Sequence, residues 1–186
     1  MIEKLLTSKN RVKILAFLLF ESEETHIREI SNKLKIAPSA VKREIDNLNS
    51  TSLIKISRNK IVLNKECNYL EDLKNIFIKT DYIFYPLKES LDGKKIEYTF
   101  IFGSFARGSP SVDSDIDLMV IGDIRLSEVI ALLEKAEKKV KRSINPVVWT
   151  LENLKKEKNS SFIKDVFKKG IIMLKGNENE LKKIIG

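Results

Sequence analysis

Phe102-Gly103-Ser104-Phe105-Ala106-Arg107-Gly108, followed by Asp113-Ser114-Asp115-Ile116-Asp117-Leu118, is the stretch on which the reading of this chain turns. An apolar run over 96–102 leads into it and a second over 116–121 leads out, and both read as strands. A glycine at the end of a buried strand permits close backbone approach to a phosphate. Ser104 adds a hydroxyl and an amide to that cradle, and a helix starting just afterwards favours an anion. Arg107 suits a phosphate clamp, and Gly108 lets the chain leave the helix in a left-handed conformation. Asp115 and Asp117 are two residues apart, so on a strand they share a face. That sets two hard oxygen ligands side by side, the donor set of a divalent cation such as Mg²⁺. Asp113 and Ser114 are expected to shape the turn. The competing reading is a polar turn with two solvated aspartates and a surface arginine.

The surroundings alternate between strand and helix. A charged amphipathic helix is expected over 126–141, a strand over 144–150, helices over 151–158 and 161–169, and a short buried run over 171–174. Pro146 points to an edge or bulged position for its strand. Lys135, Lys138, Lys139, Lys141 and Arg142 read as one solvated helix face.

The motif resembles the signature of the nucleotidyltransferase (DNA polymerase β-like) superfamily, especially its minimal branch. The resemblance covers 97–150 most closely. It implies that Asp115 and Asp117 are catalytic metal ligands for Mg²⁺, and that Gly103, Ser104 and Arg107 bind an NTP such as ATP. Active relatives place a third carboxylate on a neighbouring strand. Here Asn145 stands at that position, and an amide brings no negative charge. Glu97 lies on a nearby strand, and nothing in its spacing favours it as a replacement.

The N-terminal part reads differently. A helix capped by Ser8 is expected over 9–20, a second from His26 capped by Thr25, and a third carrying Val41, Ile45 and Leu48 on one face. Pro38 suits the start of the third. Two β-like runs follow, joined by Ser57-Arg58-Asn59. The stretch 26–54 resembles the winged helix-turn-helix domains of ArsR- and MarR-like regulators. That implies double-stranded DNA as partner, with Ser39, Lys42 and Arg43 towards base edges and Arg58 and Lys60 at the wing. The fold expected is therefore α+β. It comprises a winged helix-turn-helix domain over 1–65, a connecting helix over 66–94 broken or kinked at Pro86, and a nucleotidyltransferase-like α/β domain with a small mixed sheet over 95–186. Paired half-sites and the aromatics of the connector imply a homodimer.

Charge follows the same division. Residues 1–65 carry 13 Lys/Arg against 7 Asp/Glu, within a net charge of +8 for the chain, so the basic excess is densest where phosphates would be met. One cysteine excludes an internal disulfide, and with one histidine it argues against a zinc site. The apolar run over 14–20 ends in acids instead of a cleavage site and is shorter than the ~20 residues of a span. A cytoplasmic protein without membrane association is the expectation. On function, the leading expectation is a DNA-binding transcriptional regulator whose second domain binds nucleotide and transfers weakly or not at all. The alternative is an active Mg-dependent transferase moving NMP from NTP to a protein or small-molecule hydroxyl, as antitoxin-like relatives do. A purely structural role for the second domain is the third.

Overall fold

Helix α2 (Lys9–Phe20), preceded by the short α1 (Ile2–Leu5), buries Ile14, Leu15, Phe17, Leu18, Leu19 and Phe20 and organises the first unit of the structure. The computed structural model describes residues 2–80, 82–93 and 95–186, and it divides into two compact units, 1–80 and 81–186. Ser8 caps α2 by accepting from the Arg11 amide at 3.2 Å. A two-residue strand β1 (Glu24–Thr25) follows, then α3 (Ile27–Leu34) and α4 (Pro38–Ser50). Lys35 ends α3 in the left-handed region at φ 55° and Pro38 opens α4. Thr25 is not the cap of α3: it pairs with Ile61 and its hydroxyl donates to Glu29 at 2.9 Å, while His26 occupies the cap position.

Strands β2 (Ile54–Ser57) and β3 (Lys60–Leu63) form a hairpin, with β1 on the other edge of β3, in the order β1-β3-β2, all antiparallel. Arg58 and Asn59 both have positive φ, 48° and 67°. That is the geometry of a tight two-residue turn whose twist matches the strands. The His26 Nδ1–H donates to the Asn59 carbonyl at 2.9 Å and ties this turn to the start of α3.

The stretch 66–94 is two helices, α5 (Leu70–Ile78) and α6 (Phe84–Ser90). The break precedes Pro86. The Thr80 hydroxyl donates to the carbonyls of Ile76 and Phe77 at 2.8 and 3.2 Å and closes the last turn of α5. Pro86 is the third residue of α6, in a first turn whose amides have no acceptor within the helix, so its missing N–H costs little. The first unit ends at Thr80, so it includes α5, whose Phe77 packs on Phe20 at a ring separation of 6.4 Å.

The second unit is built on a four-stranded mixed sheet of order β6-β5-β4-β7, formed by β4 (Ile96–Phe102), β5 (Ile116–Gly122), β6 (Ile144–Trp149) and β7 (Ile172–Lys175). β4 pairs antiparallel with β5 and β7, and β5 runs parallel to β6. Between β4 and β5 lies α7 (Gly103–Ala106), and between β5 and β6 lies α8 (Leu126–Val140). After β6 come α9 (Leu151–Glu157) and α10 (Ser161–Lys169), and after β7 comes α11 (Glu178–Ile185). One sheet face packs Phe100, Met119 and Ile121 against Leu154, Ile163, Val166 and Leu181 of the last three helices. Alternation sends Leu118 and Val120 to the other face, and both are fully buried. β6 is an edge strand, which accommodates Pro146. The whole is a mixed α+β structure with small sheets. Among the described residues, no helix is long and apolar enough to cross a membrane.

The first unit holds one buried acid in a defined network. Glu44 is 3% exposed and accepts from Ser8 Oγ at 2.8 Å and Arg11 Nε at 2.9 Å. Burial opposes its charge, but these hydrogen bonds and the Arg11 guanidinium hold its carboxyl below the ordinary value of 4.5. A depressed native pKa stabilises the fold above the unfolded value and ceases to do so as pH falls through the native one. Glu44→Gln is expected to cost about 1–3 kcal/mol at neutral pH. Urea unfolding should show the gap to wild type in full above pH 4.5 and closing below it; a gap that widens on acidification would contradict this assignment.

Candidate nucleotide and metal site

Three residues lie abreast at one end of the second sheet. Phe102 pairs with Asp117 across β4 and β5, and Asp117 pairs with Asn145 across β5 and β6. Laterally paired residues share a face, so Asp117 stands between an aromatic ring and an amide. Gly103 follows Phe102 at φ +71°, and a Cβ there would collide with Asp117 Oδ2. Only glycine lets the carboxylate lie against the chain at this point. The conformation and the contact both demand it.

Helix α7 has four residues, so few peptide dipoles align at its start. An anion here would be held by the first-turn amides, the Ser104 hydroxyl and the Arg107 guanidinium more than by a macrodipole. Phe105 is fully buried and anchors the helix. Gly108 leaves it at φ +75°. Arg107 is exposed, and its charge reaches Asp117.

The loop carrying Asp115 is fixed from beneath. The Ser111 amide donates to Ser114 Oγ at 2.8 Å and the two serine hydroxyls are 2.9 Å apart. Arg142 Nη1 donates to the carbonyls of Ser111, at 3.2 Å, Ser114, at 3.0 Å, and Val112. The same guanidinium lies 5.9 Å from the Phe105 ring. Arg142 is 9% exposed, so it does not belong to a solvated helix face; it follows α8 and is turned inward under the loop. Periodicity could not reveal this, because the residue lies in the connection between α8 and β6.

Asp117 is half-buried and Asp115 exposed. Burial raises the Asp117 pKa above the ordinary 3.8 and the Asp115 charge raises it further, while a hydrogen bond from Asn145 and the charge of Arg107 act the other way. Two carboxylates that repel one another in a partly desolvated place fit a divalent cation, which reverses both penalties. Asn145 contributes a neutral donor that orients Asp117. Among the described residues no group of three or more His, Cys, Asp or Glu side chains is assembled to hold a metal. Glu97 lies at the opposite end of β4 from Phe102, five residues or roughly 16 Å away, and does not join the pair.

In the first unit, Ser39, Lys42 and Arg43 are exposed on α4, and Arg58 and Lys60 are exposed at the hairpin. Lys42 pairs with Asp46 at 3.3 Å and Lys60 with Glu24 at 2.7 Å. Exposed pairs of this kind are worth at most about 1 kcal/mol and yield readily to a phosphate.

The family model described as "Polymerase beta, Nucleotidyltransferase" matches residues 86–179, a span that contains every residue of the site in the second unit. A Methanocaldococcus jannaschii protein with the provisional name protein adenylyltransferase MJ0604 is 36% identical over 87 residues, 47% of this chain and 86% of that protein. Among solved structures, a toxin-antitoxin with AMP-PNP aligns with a TM-score of 0.42 at 16% identity, over 55% of this chain and 81% of that one. A structure of the tri-AMPylated Shewanella oneidensis HEPN toxin in complex with MNT antitoxin aligns with a TM-score of 0.35 at 14% identity, over 62% and 80%.

Arg142→Ala strips three carbonyls of a charged donor and is expected to cost about 2–4 kcal/mol of unfolding free energy. Arg142→Lys should recover part of that, having one ammonium in place of a planar fork. A urea-unfolding loss below about 0.5 kcal/mol for the alanine variant would show that the guanidinium does not support the loop.

Proposed function

The chain belongs to the polymerase β-like nucleotidyltransferase family, and from that premise we propose that its second unit transfers a nucleoside monophosphate from an NTP to a hydroxyl. The observation that carries this is the Asp117 carboxylate lying against Gly103, with the charge of Asp115 acting on it. On this reading Asp115 and Asp117 hold Mg²⁺, and Gly103, Ser104 and Arg107 hold the phosphates. Bound there, the cation would neutralise triphosphate oxygens and the charge of the departing pyrophosphate.

The chain's own groups do the rest. The Gly103 turn brings backbone amides close to the phosphates, where a side chain would exclude them. Arg107 offsets charge from the exposed side. Asn145 fixes the orientation of Asp117, and Arg142 fixes the loop of Asp115, so neither carboxylate must reorganise when substrate binds. The acceptor oxygen bonds the α-phosphorus, the bridging bond to the β-phosphate breaks, pyrophosphate departs and the acceptor's proton is released. The name of the Methanocaldococcus jannaschii relative supports adenylyl as the group moved and a protein as the acceptor. Transfer thus takes precedence over the expectation of a regulator whose second domain binds nucleotide and transfers weakly or not at all. The missing third acid bears on rate and metal affinity; it does not remove the site.

A second reading concerns the first unit. Its helices α2, α3 and α4, followed by a three-stranded sheet with a tight turn at Arg58-Asn59, support a winged helix-turn-helix. The exposure of Ser39, Lys42, Arg43, Arg58 and Lys60 supports DNA as its ligand. A DNA-guided or DNA-regulated transferase would join the two readings.

Incubation with Mg²⁺ and α-labelled ATP is expected to label the protein's acceptor, or the chain itself, and Asp117→Asn should lower the rate by about 100-fold or more. Asn145→Asp should tighten Mg²⁺ binding by adding the third anion. Equal labelling by wild type and Asp117→Asn would end the transfer reading. For the first unit, duplex binding should weaken steeply with salt and fall when Lys42 and Arg43 become alanine; binding indifferent to both changes would remove DNA as its ligand.

A further inference from the structure

Phe162 stands in the first turn of α10 with 38% of its surface exposed. Its ring meets Phe102 edge-on at 5.7 Å and 85°, and Trp149 at 5.9 Å and 62°. Phe102 is the strand neighbour of Asp117, and Trp149 lies on the same face of β6 as Asn145, which is the neighbour of Asp117 on the other side. An apolar band, aromatic at Phe102, Phe162 and Trp149 with Val147 between Asn145 and Trp149 on β6, thus begins beside the carboxylate and reaches about 13 Å along that strand. At its far end a cavity of about 350 Å³ is lined by Trp149, Asn153, Lys156 and Glu157.

Core packing accounts for Phe102, for the inner side of Phe162 and for the side of Trp149 that meets the core. It gives no reason for the open sides of the Phe162 and Trp149 rings to adjoin a cavity of mixed polar and apolar lining on the face where Asp117 stands. An NTP whose phosphates occupy the Gly103 turn must extend its ribose and base away from it, and this band offers flat apolar surface in one such direction. It ends at the Asn153 amide, which presents a donor and an acceptor together, the pattern that pairs with an adenine edge. We infer that the nucleobase of the NTP stacks on Phe162 and Trp149, with the Asn153 side chain at its edge. This rests on the nucleotidyl-transfer reading of the Asp115–Asp117 site. Stacking on an aromatic ring separates binders from non-binders by about ten- to a hundredfold per base, so the base adds affinity beyond that of the phosphates alone.

Trp149 is the chain's only tryptophan, so its fluorescence reports this position alone. The full chain would be titrated with Mg-ATP and with Mg-tripolyphosphate, following fluorescence and heat. ATP is expected to quench Trp149, tripolyphosphate to bind about tenfold or more weakly without quenching. Phe162→Leu, which keeps the apolar packing and removes the ring, should lower the ratio of the two affinities about tenfold. Equal affinities without quenching overturn the base site while leaving the phosphate site standing. A ratio unmoved by Phe162→Leu also overturns it. If neither ligand binds, the nucleotidyl-transfer reading fails and takes this inference with it.

Discussion

A carboxylate held against the backbone of a glycine is the constraint around which the second unit is arranged. Asp117 can approach Gly103 because no Cβ intervenes, and the positive φ that turns the chain there suits glycine for the same reason. Any side chain would push the acid away from the turn and break its contact with Gly103. The sheet supplies the register that puts Asp117 opposite Phe102 and Asn145. The two strands beside β5 thus give it different neighbours, one apolar and one a hydrogen-bond donor.

Holding two negative charges near one another, partly away from water, works against stability. The fold offsets this with fixed structure. Arg142 grips three carbonyls beneath the Asp115 loop, and Phe105 joins that guanidinium to α7. The result is a pair of carboxylates on a fixed support, at the end of a sheet buried on both faces. At the third position across the sheet stands a neutral donor, Asn145, so the two aspartates carry the negative charge of this end of the sheet by themselves among the residues abreast of Asp117.

Much of this was legible in the chain. The glycines at 103 and 108 carry their geometry locally, so a few residues suffice to read them, whereas Asp115 lies in the loop just before β5 and not on the strand with Asp117. Pro146 marks an edge strand for an equally local reason. What could not be read depends on distant partners. β1 has two residues and exists because β3 offers it hydrogen bonds. β7 joins the sheet beside β4 across a long interval of sequence. Arg142 looks like one more basic residue after a basic helix until its three acceptors, roughly 30 residues earlier, are brought to it. The break between α5 and α6 fell at Thr80 instead of Pro86, because a side-chain hydroxyl can close a helix while a proline in a first turn can open one.

On the transfer reading, one cation and a triphosphate meet between Asp115, Asp117 and the Gly103 turn. Crystals grown with Mn²⁺ and a non-hydrolysable NTP would locate the metal by its anomalous scattering. Mn²⁺ is expected on Asp115 and Asp117, with phosphate oxygens on the Ser104 side of the turn. Mn²⁺ and nucleotide bound together elsewhere, with these two carboxylates left to solvent, would contradict it.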